Sequence, residues 1–275
     1  MEQKRKHHRG QRNKKRNIVS NVILVIALSV FIFSAYKLIS IYSEYHKGDK
    51  EYDSIAEGAI EILDSQENEE LEEEVSRPKA HKTLSVDFDK LKKRNKDTVA
   101  WIQFDEPERI NYPVVKGEDN DKYLHTTFEG KQNSSGTLFV DVNNSGEFAD
   151  RNTFIHGHNM KNGSMFGQLR KYKTKEYYEQ NPYFYIYTPD GKEVKYQIFA
   201  VSVVEDTSES YTRFYNSDEE YLDYLNYVKS IARYDTGVEL TADSKIVSLS
   251  TCTNVSETQR LLVHGVKISE IVVGE

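Results

Sequence analysis

The chain carries one cysteine, and its neighbours are of the types that nucleophilic chemistry requires. In SLSTCTNVSETQRLLVHG a buried strand, KIVSLST, runs out at Cys252. A seven-residue loop covers Thr253 to Gln259, and a second strand starts at Arg260. If the two strands pair antiparallel, Cys252 and Arg260 face each other across the loop mouth. A thiol at a strand end beside a guanidinium is in the electropositive setting that favours thiolate. Unperturbed, a cysteine with a pKa near 8.5 is only a few per cent thiolate at pH 7, so that setting matters. The ordinary fate of a lone cysteine is burial as a small hydrophobe. Here Ser250, Thr251, Thr253 and Asn254 make the surroundings polar. Outside a membrane an idle thiol is also an oxidation liability.

A thiolate attacking a carbonyl needs a proton donor for the departing amine, and histidine is the usual one. Of the eight histidines, His7 and His8 lie in the N-terminal tail, and His46 and His81 in a connecting stretch. His264 lies four residues beyond Arg260, about 13 Å along an extended strand, which makes it a core or surface strand residue rather than a partner for Cys252. His125, in KYLHTTF, has no supporting pattern. His156 and His158 share one face of the strand TFIHGHNM. His158 is the last residue before the chain turns into NMKNGS, at a strand end where loops build sites, and spacing favours it. Asn159 either orients that ring or caps the turn, and the turn is the better reading. Ser250 and Thr251 either line a substrate groove or are strand-end hydroxyls bonded to backbone. The spacing of the acidic residues matches no calcium loop, no metal-ligand cluster is visible, and no cofactor is called for.

Elements of the right kind surround these residues. VAWIQF, INYPVV, SGTLFVDV, NTFIHGH, YFYIYT, KYQIFAVSVVE, KIVSLST and RLLVHGVKI read as strands, several alternating apolar with polar. PDGK between two of them is a hairpin turn, with Asp-Gly supplying positive φ. Helices are expected at 86–94, at MFGQLRKY and at 218–234. The last is opened by a Ser217/Glu220 capping box and carries Leu222, Leu225, Val228 and Ile231 at helical spacing. Many strands and few helices predict a mainly β fold, a closed or nearly closed barrel with appended helices.

The two ends of the chain differ sharply in charge. Residues 1–17 hold eight Lys/Arg against one acid; the remainder has 29 basic and 43 acidic residues, a net −14. So acidic a body does not bind a phosphate backbone, and nucleic acid is excluded as a partner. Residues 18–36 are uncharged, IVSNVILVIALSVFIFSAY, and as a helix would span about 28 Å, close to the hydrocarbon thickness of a bilayer. The basic flank predicts a cytoplasmic tail at 1–17, a single-pass type II anchor at 18–40, and everything later outside the cell membrane. A cleaved signal peptide would have a shorter apolar run and an A-x-A site. An acidic tether is expected over 41–82, with EYDSIAEGAIEIL helical near the membrane, and a folded domain over 83–275.

GHNMKNGSMF after an apolar strand, LSTC about ninety residues later and an Arg eight residues beyond resemble the sortases, specifically class B. INYPVV, DNDKYL and SGTLFVD, in that order upstream, match the same class. The resemblance covers roughly 85–272. It implies the sortase eight-stranded β-barrel with an N-terminal helical segment and a long helix before the Cys strand. It also implies a cysteine transpeptidase with Cys252 as nucleophile, His158 as general acid/base and Arg260 as stabiliser of the oxyanion or substrate. The implied partners are secreted proteins with a C-terminal sorting signal, cleaved after Thr through a thioester, and a peptidoglycan precursor amine. Class B points to an Asn-Pro-type signal, though the segment TSESYTRFYNSDEEY, expected to line the groove, does not spell one out. A papain-like or amidase-type hydrolase places its Cys before its His, the reverse of the order here. A non-catalytic barrel displayed on a stalk would leave Cys252 unreactive.

Overall fold

The computed structural model describes residues 2–63, 81–253 and 255–274, the first eighteen by backbone alone. In chain order the elements are α1 (Glu2–Ala59), β1 (Ile60–Ile62), β2 (Leu84–Val86), α2 (Phe88–Arg94), β3 (Thr98–Gln103), β4 (Asn111–Val115), α3 (Lys122–His125), β5 (Leu138–Val140), β6 (Asn152–His156), α4 (Lys175–Gln180), β7 (Tyr183–Thr188), β8 (Lys192–Glu205), α5 (Asp218–Ser230), β9 (Ile246–Cys252) and β10 (Gln259–Val272). Eight of the strands close into a barrel in the order β10-β8-β7-β3-β4-β5-β6-β9. The β4–β5 and β6–β9 pairs are parallel and the others antiparallel. This is the expected eight-stranded barrel with appended helices.

Local chemistry explains the joints. Between β7 and β8, Gly191 sits at φ +79° and closes the predicted hairpin. The Ser217 hydroxyl accepts the Glu220 N–H at 3.1 Å and caps α5. Glu220 reaches back one residue further than a reciprocal box, to the Asn216 N–H at 2.7 Å. The helix stops at Ser230, short of 234, because the Arg233 N–H bonds the Val201 carbonyl of β8 instead of its own helix. Its buried face is turned slightly from the expected one: Tyr221, Tyr224, Leu225 and Val228 pack on Phe199, Ala200, Ile246 and Val266. The tyrosines bring large apolar bodies with hydroxyls that find partners. MFGQLRKY forms a 3-10 turn, Gly167–Lys173, rather than an α-helix.

The chain divides into two compact units, up to Lys47 and from Gly48 onward. In the first, the apolar side chains from Val22 to Phe33 are exposed, and the stretch is long and apolar enough to cross a membrane. The second begins well before residue 83. Tyr52, Ile55 and Ala59 share one helical face and are buried. The Tyr52 hydroxyl donates to the Gly136 carbonyl at 2.5 Å and Asp49 pairs with Arg109 at 2.9 Å. β1 then pairs with β2. Residues 48–62, read from sequence as tether, are therefore built onto the domain. The acidic run expected after them falls in 64–80, outside the described residues.

Candidate active site

Three neighbouring strands, β6, β9 and β10, present one face on which the candidate residues fall into rows. β9 pairs with β10 so that Cys252 is opposite Arg260, Ser250 opposite Leu262 and Ser248 opposite His264. On its other side β9 pairs with β6, with Phe154 opposite Ser248 and His156 opposite Ser250. Residues in register point to the same face of a sheet, and every second residue along a strand returns to it. The Gly157 N–H bonds the Ser250 carbonyl at 3.1 Å and carries the parallel ladder past the end of β6. His158 lies two residues past the end of β6, on the segment that continues from this ladder. The amide of Asn159 then donates to the Cys252 carbonyl at 2.8 Å and fixes the histidine segment to the cysteine strand. Cys252 and Arg260 thus form one cross-strand row, and the Asn159 clamp holds the segment that carries His158 to the β9 end of it.

Each member has a distinct setting. Cys252 is a free, half-buried thiol. His158 Nε2 lies 2.7 Å from the Leu124 carbonyl, just before the end of α3. A carbonyl only accepts, so Nε2 carries the proton and Nδ1 is left to exchange one. Arg260 donates through Nη1 to the Glu257 and Gln259 carbonyls, at 2.6 and 3.2 Å, and through Nη2 to Asp206 Oδ2 at 3.1 Å. The Asp206 side chain is 38% exposed, and ion pairs with exposed partners are worth about 0–1 kcal/mol.

The secondary candidates separate. Ser250 shares the Cys252 face, buried, with its hydroxyl 2.7 Å from the Tyr211 hydroxyl. Thr251 alternates to the opposite face and is 3% exposed, so the structure does not bring it to the row. The Asn159 amide bonded to the Cys252 carbonyl links the turn after His158 to β9. His264 is fully buried.

Leu124 and two residues of the segment expected to line the groove also contribute. Leu124 acts through its backbone carbonyl, which any residue type would supply. Tyr211 and Arg213 belong to the β8–β9 connection, and they lie against Phe154, with ring centroids 5.4 Å apart for Tyr211 and the guanidinium 5.0 Å from the Phe154 ring for Arg213. Among the described residues no group of three or more His, Cys, Asp or Glu is placed to hold a metal ion.

A half-buried thiol, an imidazole that gives its Nε2–H to a carbonyl and a guanidinium cross-strand from the thiol form a set suited to acyl transfer through a thioester. Comparison with known proteins agrees. Residues 105–268 match the Sortase domain family. Sortase B of Listeria monocytogenes is 30% identical over 258 residues, 92% of this chain and 98% of that protein. Sortase B of Staphylococcus aureus is 28% identical, covering 94% and 99%. Among solved structures, sortase B from Bacillus anthracis in complex with AAEK1 superposes with a TM-score of 0.67 at 28% identity, covering 83% of this chain and all of that one. The Staphylococcus aureus sortase B–substrate complex gives 0.62 at 29% identity, covering 66% and 85%.

Proposed function

The chain belongs to the sortase family, within class B, and from that premise we propose that this cysteine transpeptidase cleaves a C-terminal sorting signal after Thr and joins the released protein to a peptidoglycan precursor amine. What supports the residue assignment is the Cys252–Arg260 register of β9 and β10 together with the Asn159 clamp, which holds the segment carrying His158 to the cysteine strand.

In the first half-reaction the Cys252 proton passes to His158 Nδ1, and the sulfur attacks the Thr carbonyl. Arg260 donates to the oxyanion that forms, a role whose loss typically costs about 10²–10³ in rate. His158 returns its proton to the departing amine as the C–N bond breaks, leaving a thioester. In the second half the acceptor amine attacks that thioester, His158 takes the amine proton, and the thiolate leaves. Throughout, Nε2–H stays on the Leu124 carbonyl, which accepts from both imidazole and imidazolium, more strongly from the latter, and keeps the ring oriented. The Cys/His pair works without a carboxylate because a thiol needs less activation than a hydroxyl.

The N-terminal helix fits this chemistry as a single-pass type II anchor, with tail 1–17 in the cytoplasm, span 18–40 and the barrel outside. Both substrates are then confined to the same surface, and tethering raises the enzyme's effective concentration there. The test is a panel of fluorogenic peptides, Asn-Pro-type signals among them, offered to the full chain in detergent with and without an amine acceptor. Cleavage after Thr, with the amine diverting product into an adduct, is expected. Cleavage elsewhere, or an unchanged hydrolysis product with the amine present, overturns the proposal.

A further inference from the structure

One carboxylate outside the row ties together the elements that shape it. Asp141 follows β5, and its side chain is completely buried. Its Oδ2 accepts three hydrogen bonds from three separate segments: Asn120 Nδ2 at 3.1 Å, His156 Nε2 at 3.0 Å and Arg213 Nη2 at 2.7 Å. Its Oδ1 accepts the backbone N–H and the side-chain amide of Asn143, at 3.0 and 2.9 Å. Burial opposes ionisation. The hydrogen bonds from His156 and Asn143 and the Arg213 charge outweigh it and hold the carboxyl well below the ordinary carboxylate range.

Each segment on Oδ2 leads to the row. Asn120 stands four residues before Leu124, whose carbonyl holds His158. His156 ends β6, two residues before His158. Arg213 donates through Nη1 to the Tyr211 carbonyl at 2.9 Å, and Tyr211 reaches Ser250, two residues before Cys252 on the same face. Removing a buried charge that several donors share leaves those donors unsatisfied, and the segments carrying them must shift.

We propose that Asp141 is a positioning residue of the transpeptidase, setting the Leu124 carbonyl through Asn120 and seating the 208–213 segment beside Cys252 through Arg213. It touches no reacting atom. The inference rests on the proposed function, and it divides into two arms. The Asn120 arm governs His158 and so kcat. The Arg213 arm governs the groove wall and so KM.

Three variants test it. Asp141→Asn keeps the shape and removes the charge; kcat/KM is expected to fall by about 10²-fold, the usual cost of an ångström-scale misplacement. Asn120→Ala should lower kcat several-fold and shift the acid limb of the kcat–pH profile with KM held. Arg213→Gln should raise KM several-fold with kcat held. Hydrogen exchange supplies a readout independent of turnover: in Asp141→Asn the amides of 120–125 and 208–213 should lose protection together while β9 and β10 keep theirs. A folded Asp141→Asn protein with kcat and KM within about threefold of the parent, or with unchanged exchange in both segments, overturns the inference. If the parent transfers no peptide, the functional reading fails, and the exchange result still decides whether Asp141 couples the two segments.

Discussion

The face made by β6, β9 and β10, together with the segment that continues β6, carries two sets of a nucleophile type and a histidine, with the nucleophiles four residues apart along β9. At one end the Ser248 hydroxyl lies 2.7 Å from His264 Nδ1 and donates to Asn152 Oδ1 at 2.7 Å. The Asn152 amide in turn donates to the Tyr224 hydroxyl, which donates to the Ser210 carbonyl. At the other end stand Cys252 and His158. The first group has the residue types of a hydrolase dyad, yet its proton runs the wrong way. Ser248 gives its proton to Asn152, so His264 must donate to Ser248 rather than accept from it. α5 covers that end, His264 is fully buried, and burial pushes its pKa down to about 3. At the other end the imidazole gives Nε2–H to a carbonyl and the thiol is half-buried. Residue type alone does not make a site; the direction of the proton and the presence of a roof decide it.

The sharpest way to break this contrast is at the two nucleophile positions. Cys252→Ala should abolish both cleavage and transfer, whereas Ser248→Ala should keep turnover per folded molecule and lose about 1–3 kcal/mol of stability by stranding Asn152 and His264. Peptide kinetics and thermal melts of the two variants read both effects, and retained cleavage in Cys252→Ala would move the nucleophile elsewhere. The histidines come next. His158→Ala should cost about 10²–10⁴ in kcat, the range for a lost general acid/base, and His156→Gln, which retains a donor toward Asp141, no more than about tenfold. The reverse order in steady-state assays would exchange their roles. Arg260→Lys should lose about 10²-fold, because a point charge cannot copy a planar fork, and near-normal turnover would leave Arg260 merely structural.

The smallest effect is on stability, and it has opposite signs at two histidines. His81 is held by Asp105 at 2.8 Å and Glu193 at 3.1 Å. Burial works against its charge, but those carboxylates prevail and raise its pKa to about 9. Its stabilisation is complete below about pH 6.5 and is lost as pH rises through 9, roughly 2–3 kcal/mol in all. His264, depressed to about 3, stabilises above pH 6.5 and loses that contribution as pH falls toward 3. Melting temperature should therefore peak near pH 6–7. His81→Gln should flatten the alkaline limb and His264→Gln should reduce the slope of the acid limb; a limb that ignores its variant refutes the assignment.

Much of this was legible in the residues. Alternating strands, the Asp-Gly hairpin and the Ser217 cap are local signals, and the barrel followed from them. The Cys252–Arg260 pairing followed from a short antiparallel connection. What stayed hidden depended on tertiary placement. The Leu124 carbonyl has no side-chain signature. Asp141 gathers donors from positions 120, 156 and 213, which only the closed barrel brings together. The pleat of β9 removed Thr251 from the row, although the alternation itself was readable. Residues 48–62 looked like tether because their apolar face is short, and its partners lie some eighty residues away.

The most direct test of the central claim is the intact mass of the full chain, quenched shortly after mixing with a cleavable sorting-signal peptide. A single adduct equal to the acyl fragment ending in Thr, mapped to Cys252 and released by an added amine, is the predicted result. Turnover of the same peptide with no adduct on that sulfur, or with the adduct on another residue, would contradict it.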